Sequence, residues 1–176
     1  MKKQLIFCAV ILSLISIIGW GWQEWKTFSS VSGGFSILTP GTPIEKQLMQ
    51  ETPMGKIFVT TFRINSKSSS YFIGYNDYPD DFIRRSNING LLDGARDGSI
   101  GNLNGRLLTQ HNISVNGYPG REYVAEFMFK KPGDSTVKTR AYLVNNRLFQ
   151  ISVMSIKGEV SVAQQNKFLN SFTLLK

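Results

Sequence analysis

The residues of this chain that could carry catalytic chemistry are few. His111 is its one histidine, and its one cysteine, Cys8, lies in an apolar stretch near the N-terminus. A histidine acts as the general base of a hydrolase only with a nucleophile and an orienting acid, and no such partners flank His111 in sequence. The sequence has no G-x-S-x-G elbow, phosphate-binding loop or H-E-x-x-H pair. We therefore expect a non-catalytic protein without a cofactor, and keep as an alternative a small extracytoplasmic hydrolase that uses His111 with Asp and Ser residues brought together in space.

Three carboxylates lie close together in the chain, at Asp77, Asp80 and Asp81. Carboxylate oxygens are ligands for a hard cation such as Ca²⁺, although this spacing is not that of an EF-hand loop. Pro79 followed by aspartate is also typical of a helix start, where Asp80 or Asp81 would cap the free amides. We expect capping and assign no metal site. A cation- or ligand-binding module at the three aspartates is kept as a second alternative.

Aromatic residues surround the same segment, at Tyr71, Phe72, Tyr75 and Tyr78. They could line a groove beside the carboxylates, but their spacing along a predicted strand and its exit fits ordinary packing, which we favour. We predict six candidate binding residues, which are Tyr75, Asp77, Tyr78, Asp80, Asp81 and Arg121.

The composition of the chain restricts the classes of partner that we expect it to bind. Its 176 residues hold 20 lysines and arginines against 12 aspartates and glutamates, a net charge of +8. The basic residues that could form a patch are Arg84, Arg85, Lys130, Lys131, Lys138, Arg140 and Arg147. No RNP-like or helix-turn-helix pattern accompanies them, so we expect no nucleic acid partner. A solvated surface is the first interpretation, and the excess of cations favours a protein or a membrane surface as the partner.

The N-terminus predicts export. Two lysines at positions 2 and 3 precede an apolar run from Leu5 to Ile18 that only two serines interrupt. Residues 1–22 are therefore a signal peptide or an N-terminal membrane anchor, and both interpretations stay open. If it is not cleaved, the stretch from Leu5 to Trp22 has 18 residues, near the lower limit for a membrane span. Positive charge before the run predicts an extracytoplasmic location for the rest of the chain, which is periplasmic, lumenal or secreted.

The region from His111 to Ser155 predicts four strands, because Val, Ile, Phe and Tyr dominate the runs between turn residues. Turns are predicted at Asn116-Gly117, Pro119-Gly120, Lys131 to Ser135, and Asn145-Asn146. The last turn places Val144 opposite Arg147. The loop from Lys131 places Glu126 opposite Arg140, as a cross-strand ion pair.

Alternation along these strands gives two apolar faces. One face carries Tyr123, Ala125, Phe127, Phe129, Ala141, Leu143 and Leu148; the other carries Val124, Met128, Tyr142, Val144, Phe149, Ile151 and Val153. A sheet that is apolar on both sides needs a covering layer on each side.

Two helices are available for those layers. One follows Pro79 and has a stripe of Ile88, Leu91, Leu92 and Ala95, with glycines at 90, 94 and 98 that favour close packing on the sheet. The other runs from about Val160 to Asn170. We therefore predict an α+β fold, with an antiparallel sheet covered on both faces by helices and preceded by an N-terminal hydrophobic helix. Residues 25–176 are predicted to form a single domain.

Several short motifs support a family resemblance. They are Trp25…Phe28-Ser29; Gly34-Phe35-Ser36-Ile37…Pro40-Gly41…Pro43; Gly117-Tyr118-Pro119-Gly120-Arg121-Glu122; Arg140-Ala141-Tyr142-Leu143-Val144 with Asn146-Arg147-Leu148-Phe149; and Phe168-Leu169…Ser171-Phe172. Together they resemble small exported bacterial proteins related in fold to the PsbP family of the thylakoid lumen. The resemblance implies an α/β/α sandwich and an accessory or binding role, and no site residue is carried over from it. The expected function is that of an exported or membrane-tethered, non-catalytic binding protein.

Overall fold

The computed structural model describes residues 24–52, 55–66, 69–131 and 133–175. Its elements follow the chain as β1 (Lys26–Ser30), β2 (Phe35–Thr39), β3 (Ile44–Thr52), β4 (Gly55–Asn65), β5 (Ser69–Asp77), α1 (Asp80–Arg85), α2 (Ile88–Asn102), β6 (Arg106–Val115), β7 (Tyr118–Phe127), β8 (Ser135–Val144), β9 (Arg147–Ile156), α3 (Val162–Asn170) and β10 (Thr173–Leu174). The described residues contain no helix long and apolar enough to cross a membrane. The predicted leader at residues 1–22 lies outside them.

The strands form two antiparallel sheets. The large sheet has seven strands in the order β3-β4-β5-β9-β8-β7-β6, and the small sheet has three in the order β1-β2-β10. The predicted turn at Asn145-Asn146 is confirmed, because Val144 lies opposite Arg147. The turn at Asn116-Gly117 is confirmed as well, and both of its residues have the positive φ that Asn and Gly tolerate.

The predicted register of β7 against β8 is wrong. β7 ends at Phe127, which lies opposite Ser135, so Glu126 faces Thr136 and Arg140 faces Glu122. The loop between these strands is longer than the Lys131 to Ser135 segment, because the carboxylate of Asp134 binds backbone amides of the preceding residues and holds them out of the ladder.

The predicted turn at Pro119-Gly120 is also wrong, because both residues lie inside β7. Glycine is needed there for close approach. A Cβ on Gly120 would come within 2.5 Å of the Tyr142 ring and 2.6 Å of the Ala141 carbonyl oxygen. The Pro119-Gly120 pair therefore marks a place where β7 packs tightly against β8 and not a turn.

The prediction of helices on both faces is contradicted. Of the three helices in the described residues, α1 and α2 lie on one face of the large sheet, and Leu92 packs there against Leu143 and Leu148. The other face is covered by the small sheet together with α3. The small sheet can do this because β2 buries alternate residues, Phe35, Ile37 and Thr39, against the large sheet.

The two apolar faces themselves are largely as predicted. Leu143 is buried under α2 and Phe127 is half-buried at the edge of that core, while Phe149 and Ile151 are buried on the opposite face. The exceptions are Met128 and Phe129, which are exposed because β7 has already ended.

The helix ends only partly follow the sequence signals. The side chain of Asn87 caps α2, and the stripe from Ile88 to Ala95 packs on the sheet as predicted. At α1, however, Pro79 is the N-cap residue and no side chain caps the helix, so capping by Asp80 or Asp81 is wrong. Close packing through glycine is also wrong, since a Cβ on Gly94 or Gly98 would meet nothing within 4 Å.

Candidate functional site

An open groove lies on the face of the large sheet that α2 covers only in part. α2 packs over β7 and β8, and the same face of β3, β4 and β5 is left uncovered beside it. The resulting cavity has a volume of about 760 Å³. Its floor consists of alternate side chains of β3, β4, β5 and β9, and one wall is formed by α2 between Gly94 and Asn102. We call this cavity the groove.

The groove has a mixed apolar and polar lining, and the only charges among its described lining residues are positive. Among the described residues that line it, none is Asp, Glu, His or Cys, while Lys46 and Arg63 both face into it. Amides and hydroxyls, for example Gln150 and Ser152, lie among apolar side chains such as Leu48 and Leu148. Phe72 adds an aromatic surface, and its ring lies over Gly74, where a Cβ would come within 2.8 Å of it. Such a lining suits an anionic or strongly hydrogen-bonding ligand.

The cations of the groove differ from most of the basic side chains that the structure describes. Within the described part of the chain, Lys46 and Arg63 form no ion pair. Elsewhere the basic side chains that are paired to carboxylates include Arg84, Arg96, Arg106, Arg121, Lys138, Arg140, Arg147 and Lys157. Lys46 and Arg63 therefore keep their full charge available to a ligand.

Two of the predicted binding residues, Tyr75 and Asp77, lie at a corner on the other side of the sheet. Arg147 binds both oxygens of Asp77 at 2.6 and 2.7 Å, and its guanidinium lies 4.5 Å above the ring of Tyr75. The same side chain donates to the carbonyl oxygens of Ser32 and Gly33, each at 2.9 Å. These contacts fix the turn between β1 and β2, so Tyr75 and Asp77 hold the small sheet in place.

Tyr78 is the one predicted binding residue that borders the groove. Its backbone N–H donates to the carbonyl of Asn146 at 2.8 Å, and its ring packs against Phe82 with centroids 5.5 Å apart. Burial raises the pKa of its hydroxyl above the ordinary value. Tyr78 therefore contributes a neutral hydroxyl and a fixed ring to one end of the groove.

The three aspartates are not brought together. Asp77 binds Arg147, Asp81 pairs with Arg84, and Asp80 is exposed in the first turn of α1. The described residues contain no group of three or more His, Cys, Asp or Glu side chains that could hold a metal ion. The geometry therefore gives no support to the cation-binding alternative.

Arg121, the remaining predicted binding residue, lies buried between β7 and α2. Its Nη2 is 2.8 Å from Asp93, which also accepts a hydrogen bond from Arg96 at 2.9 Å. Arg96 in turn contacts Asp97 and Gln110. Because this network joins α2 to β6 and β7, Arg121 positions the helix that forms the wall of the groove.

His111 lies on the opposite face at the sheet margin, 60% exposed, with its Nε2 3.3 Å from Glu122. Glu122 is buried and also binds Arg140 at 2.6 Å and Lys138 at 3.1 Å. Burial raises the pKa of Glu122, but the hydrogen bonds from Arg140 and Lys138 outweigh that effect and leave the pKa below its ordinary value. In the described part of the chain no serine or threonine hydroxyl is hydrogen-bonded to His111, so the arrangement lacks a nucleophile.

Sequence reasoning missed Lys46 and Arg63. Lys46 lies in β3 and Arg63 in β4, and the register places Ile44 opposite Arg63 and Lys46 opposite Thr61. Their shared face follows from strand alternation once β3 and β4 are paired. What the sequence could not show is that α2 stops short of this half of the sheet and leaves the two cations uncovered.

Of the comparisons with known proteins, the one with solved structures identifies the fold. No protein-family model matches the sequence, and no curated protein matches it. The solution structure of a cyanobacterial PsbP protein (CyanoP) from Synechocystis sp. PCC 6803 is similar with a TM-score of 0.62 at 12% identity, over 92% of this chain and 98% of that one. A crystal structure from Bacteroides thetaiotaomicron gives a TM-score of 0.45 at 15% identity, over 86% of this chain and 48% of that one. The likeness to CyanoP confirms that this chain has a PsbP-like fold.

Proposed function

We propose that this chain is a non-catalytic accessory domain, exported or tethered outside the cytoplasm, that binds an acidic segment of a partner protein in the groove. The observation that carries the proposal is a pair of cations, Lys46 and Arg63, that form no ion pair with any described residue and lie in a cavity whose described lining contains no carboxylate. The PsbP-like fold supports an accessory role, and the basic leader followed by an apolar run supports the location.

An extended acidic segment suits the groove for geometric reasons. The floor is a set of neighbouring strands whose side chains alternate, so cations on β3 and β4 lie on the same face as the hydrogen-bonding groups of β9. β3 is also an edge strand, with nine regularly paired residues on one side and no described strand paired on the other. A segment laid along β3 gains backbone hydrogen bonds and brings acidic side chains to Lys46.

A second copy of this chain is a poorer occupant. In a two-fold antiparallel pairing of β3 with itself, residues on the same face lie opposite each other. Lys46 faces the groove, whereas Glu45 and Glu51 point to the other face of the sheet. Such a dimer therefore leaves Lys46 without an acidic partner.

The test uses two fluorescent peptides of equal length, one alternating Glu with Thr or Val and one alternating Lys with the same residues. Wild-type protein should bind the acidic peptide and ignore the basic one, as measured by fluorescence anisotropy, and binding should weaken as salt is raised. The double variant Lys46→Glu, Arg63→Glu should weaken binding by about tenfold or more, which corresponds to about 1.4 kcal/mol.

Lys56→Glu is the matched control. Lys56 is an exposed cation on β4, on the face away from the groove, so its reversal changes the net charge without touching the site. The control is compared with the single variant Lys46→Glu, which changes the net charge by the same amount. If Lys56→Glu weakens binding as much as Lys46→Glu does, the attraction is one of overall charge and the groove is not the site.

A further inference from the structure

The loop between β7 and β8 presents two large apolar side chains to solvent. Met128 and Phe129 are adjacent, and their exposed fractions are 62% and 65%. Phe129 also borders a cavity of about 290 Å³ at this end of the sheet, next to Phe127 and Met154. We call residues 128–131 and 133–134 the tip loop. Apolar side chains exposed side by side at the tip of a hairpin are costly in water unless something covers them.

The tip loop is held in shape by one carboxylate. Asp134 accepts backbone hydrogen bonds from Phe129 and Lys130, each at 2.9 Å, and from Lys131 at 3.1 Å. The amide of Phe129 first, and then those of the two lysines, lower the pKa of Asp134 to about 2, so it is ionised at neutral pH. Met128 and Phe129 are therefore exposed by a loop whose conformation is held by hydrogen bonds.

Cations follow the apolar pair directly. Lys130 and Lys131 are exposed, and neither forms an ion pair within the part of the chain that the structure describes. Lys157, which is ion-paired with Glu126, lies at the base of the loop, where its backbone N–H donates to the Asp134 carbonyl at 2.9 Å. The loop thus joins an apolar tip to a cationic rim, a combination suited to the boundary between acyl chains and anionic headgroups.

The N-terminal segment meets the domain at the same end of the large sheet. Trp25 packs edge-on against Tyr71, two residues from the start of β5, with ring centroids 5.7 Å apart. The start of β5 lies beside the end of β9, where Ser69 faces Ser155, and the tip loop emerges one strand further along. The described chain therefore begins, at Glu24 and Trp25, at the end of the sheet that carries the tip loop.

We propose that the tip loop docks on an anionic lipid bilayer, with Met128 and Phe129 in the interfacial layer and Lys130 and Lys131 at the headgroup phosphates. This contact fixes the orientation of the domain on the membrane. The proposal rests on the proposed location outside the cytoplasm, but it does not require a ligand in the groove. Peptide binding and membrane contact can therefore fail separately.

The test uses the full chain reconstituted into vesicles. In a Cys8→Ser background, an environment-sensitive fluorophore is attached at Met128→Cys or, as a control, at Asn145→Cys in the β8–β9 turn at the opposite end of the sheet. In vesicles containing phosphatidylglycerol, the label at position 128 should show a blue-shifted emission and quenching by nitroxide lipids. The label at position 145 should show neither.

Two further arms identify what produces the signal. Phe129→Ser should abolish the blue shift, whereas Phe58→Ser, which changes a phenylalanine that is 56% exposed on β4, should leave it intact. Lys130→Gln with Lys131→Gln, or vesicles of phosphatidylcholine alone, should reduce the quenching. A label at position 128 that stays as water-exposed as the label at 145 in anionic vesicles would overturn the proposal, and so would an equal loss in the Phe58→Ser variant.

Discussion

The two faces of the large sheet are built for different purposes. On the face that carries the small sheet and α3, Phe35 contacts the rings of Phe62, Phe149 and Phe172, with centroids 5.6 to 6.1 Å apart. On the other face, α2 packs over β7, β8 and part of β9, and the uncovered half presents amides, hydroxyls and two cations among apolar side chains. One face is sealed by aromatic packing and the other is left open. The difference separates the residues that stabilise the fold from those available to a ligand.

The largest expected effect is at the centre of the sealed face. Phe35→Ala should lower the free energy of unfolding by about 3–5 kcal/mol, because it removes a fully buried ring and leaves a cavity among other rings. Urea unfolding followed by circular dichroism measures the change. Phe58→Ala is the matched control, and it should change the free energy by less than about 1 kcal/mol because Phe58 is mostly exposed. Equal losses would mean that the sealed face is not the main source of stability.

A smaller effect is expected at the margin of the sealed face, where Glu122 joins the strands beneath α3. Arg140 binds Glu122 and also donates to the Leu169 carbonyl at the end of α3, at 3.1 Å. Glu122→Gln should lower the free energy of unfolding by about 1–3 kcal/mol at pH 7, since it leaves Arg140 and Lys138 poorly paired.

The pH dependence of that loss follows from the pKa of Glu122. Because its native pKa is below the value in the unfolded chain, Glu122 stabilises the native state above about pH 4.3 and loses this effect as pH falls through the native pKa. Denaturation measured at several pH values should therefore show wild type and Glu122→Gln converging in acid. Glu159→Gln, at an exposed position, serves as the control. A constant difference down to acid pH would contradict the assignment.

The smallest effect, and one of opposite sign, is expected on the open face. Gly98 lies in α2 with space around its Cα, so Gly98→Ala should raise the free energy of unfolding by up to about 1 kcal/mol through helix propensity. Thermal unfolding measures the gain. Destabilisation would show that something packs against this helix face, and the contrast between a sealed and an open side would no longer hold.

Strand register was predictable from sequence only where turn chemistry was unambiguous. Asn145-Asn146 fixed the pairing of β8 with β9, and alternation then assigned Phe149 and Ile151 to one face. The pairing of β7 with β8 was missed because Asp134 lengthens the loop through backbone hydrogen bonds that no residue pattern reveals. The small sheet was missed because β10 has only two residues, too few to give a periodic signal.

The candidate site was harder to predict than the fold. Of the residues singled out, Tyr78 borders the groove, whereas Tyr75 and Asp77 bind Arg147 on the other side of the sheet. Charges that cluster in the sequence do not indicate a binding site here, because Asp77 and Asp81 each pair with an arginine. Lys46 and Arg63, which form no ion pair with any described residue, lie on different strands and come together only through strand pairing.

The last strand sets the order in which the chain can complete its fold during synthesis. β10 pairs with β2, Leu175 donates to the Gly34 carbonyl at 2.9 Å, and Phe172 stacks on Tyr142 with centroids 5.8 Å apart. Until β10 has been synthesised, β2 has only β1 beside it in the small sheet, and the ring of Phe35 lacks part of its cover. Contacts between segments far apart in the chain also form slowly. A nascent chain therefore cannot complete the small sheet before β10 has been made.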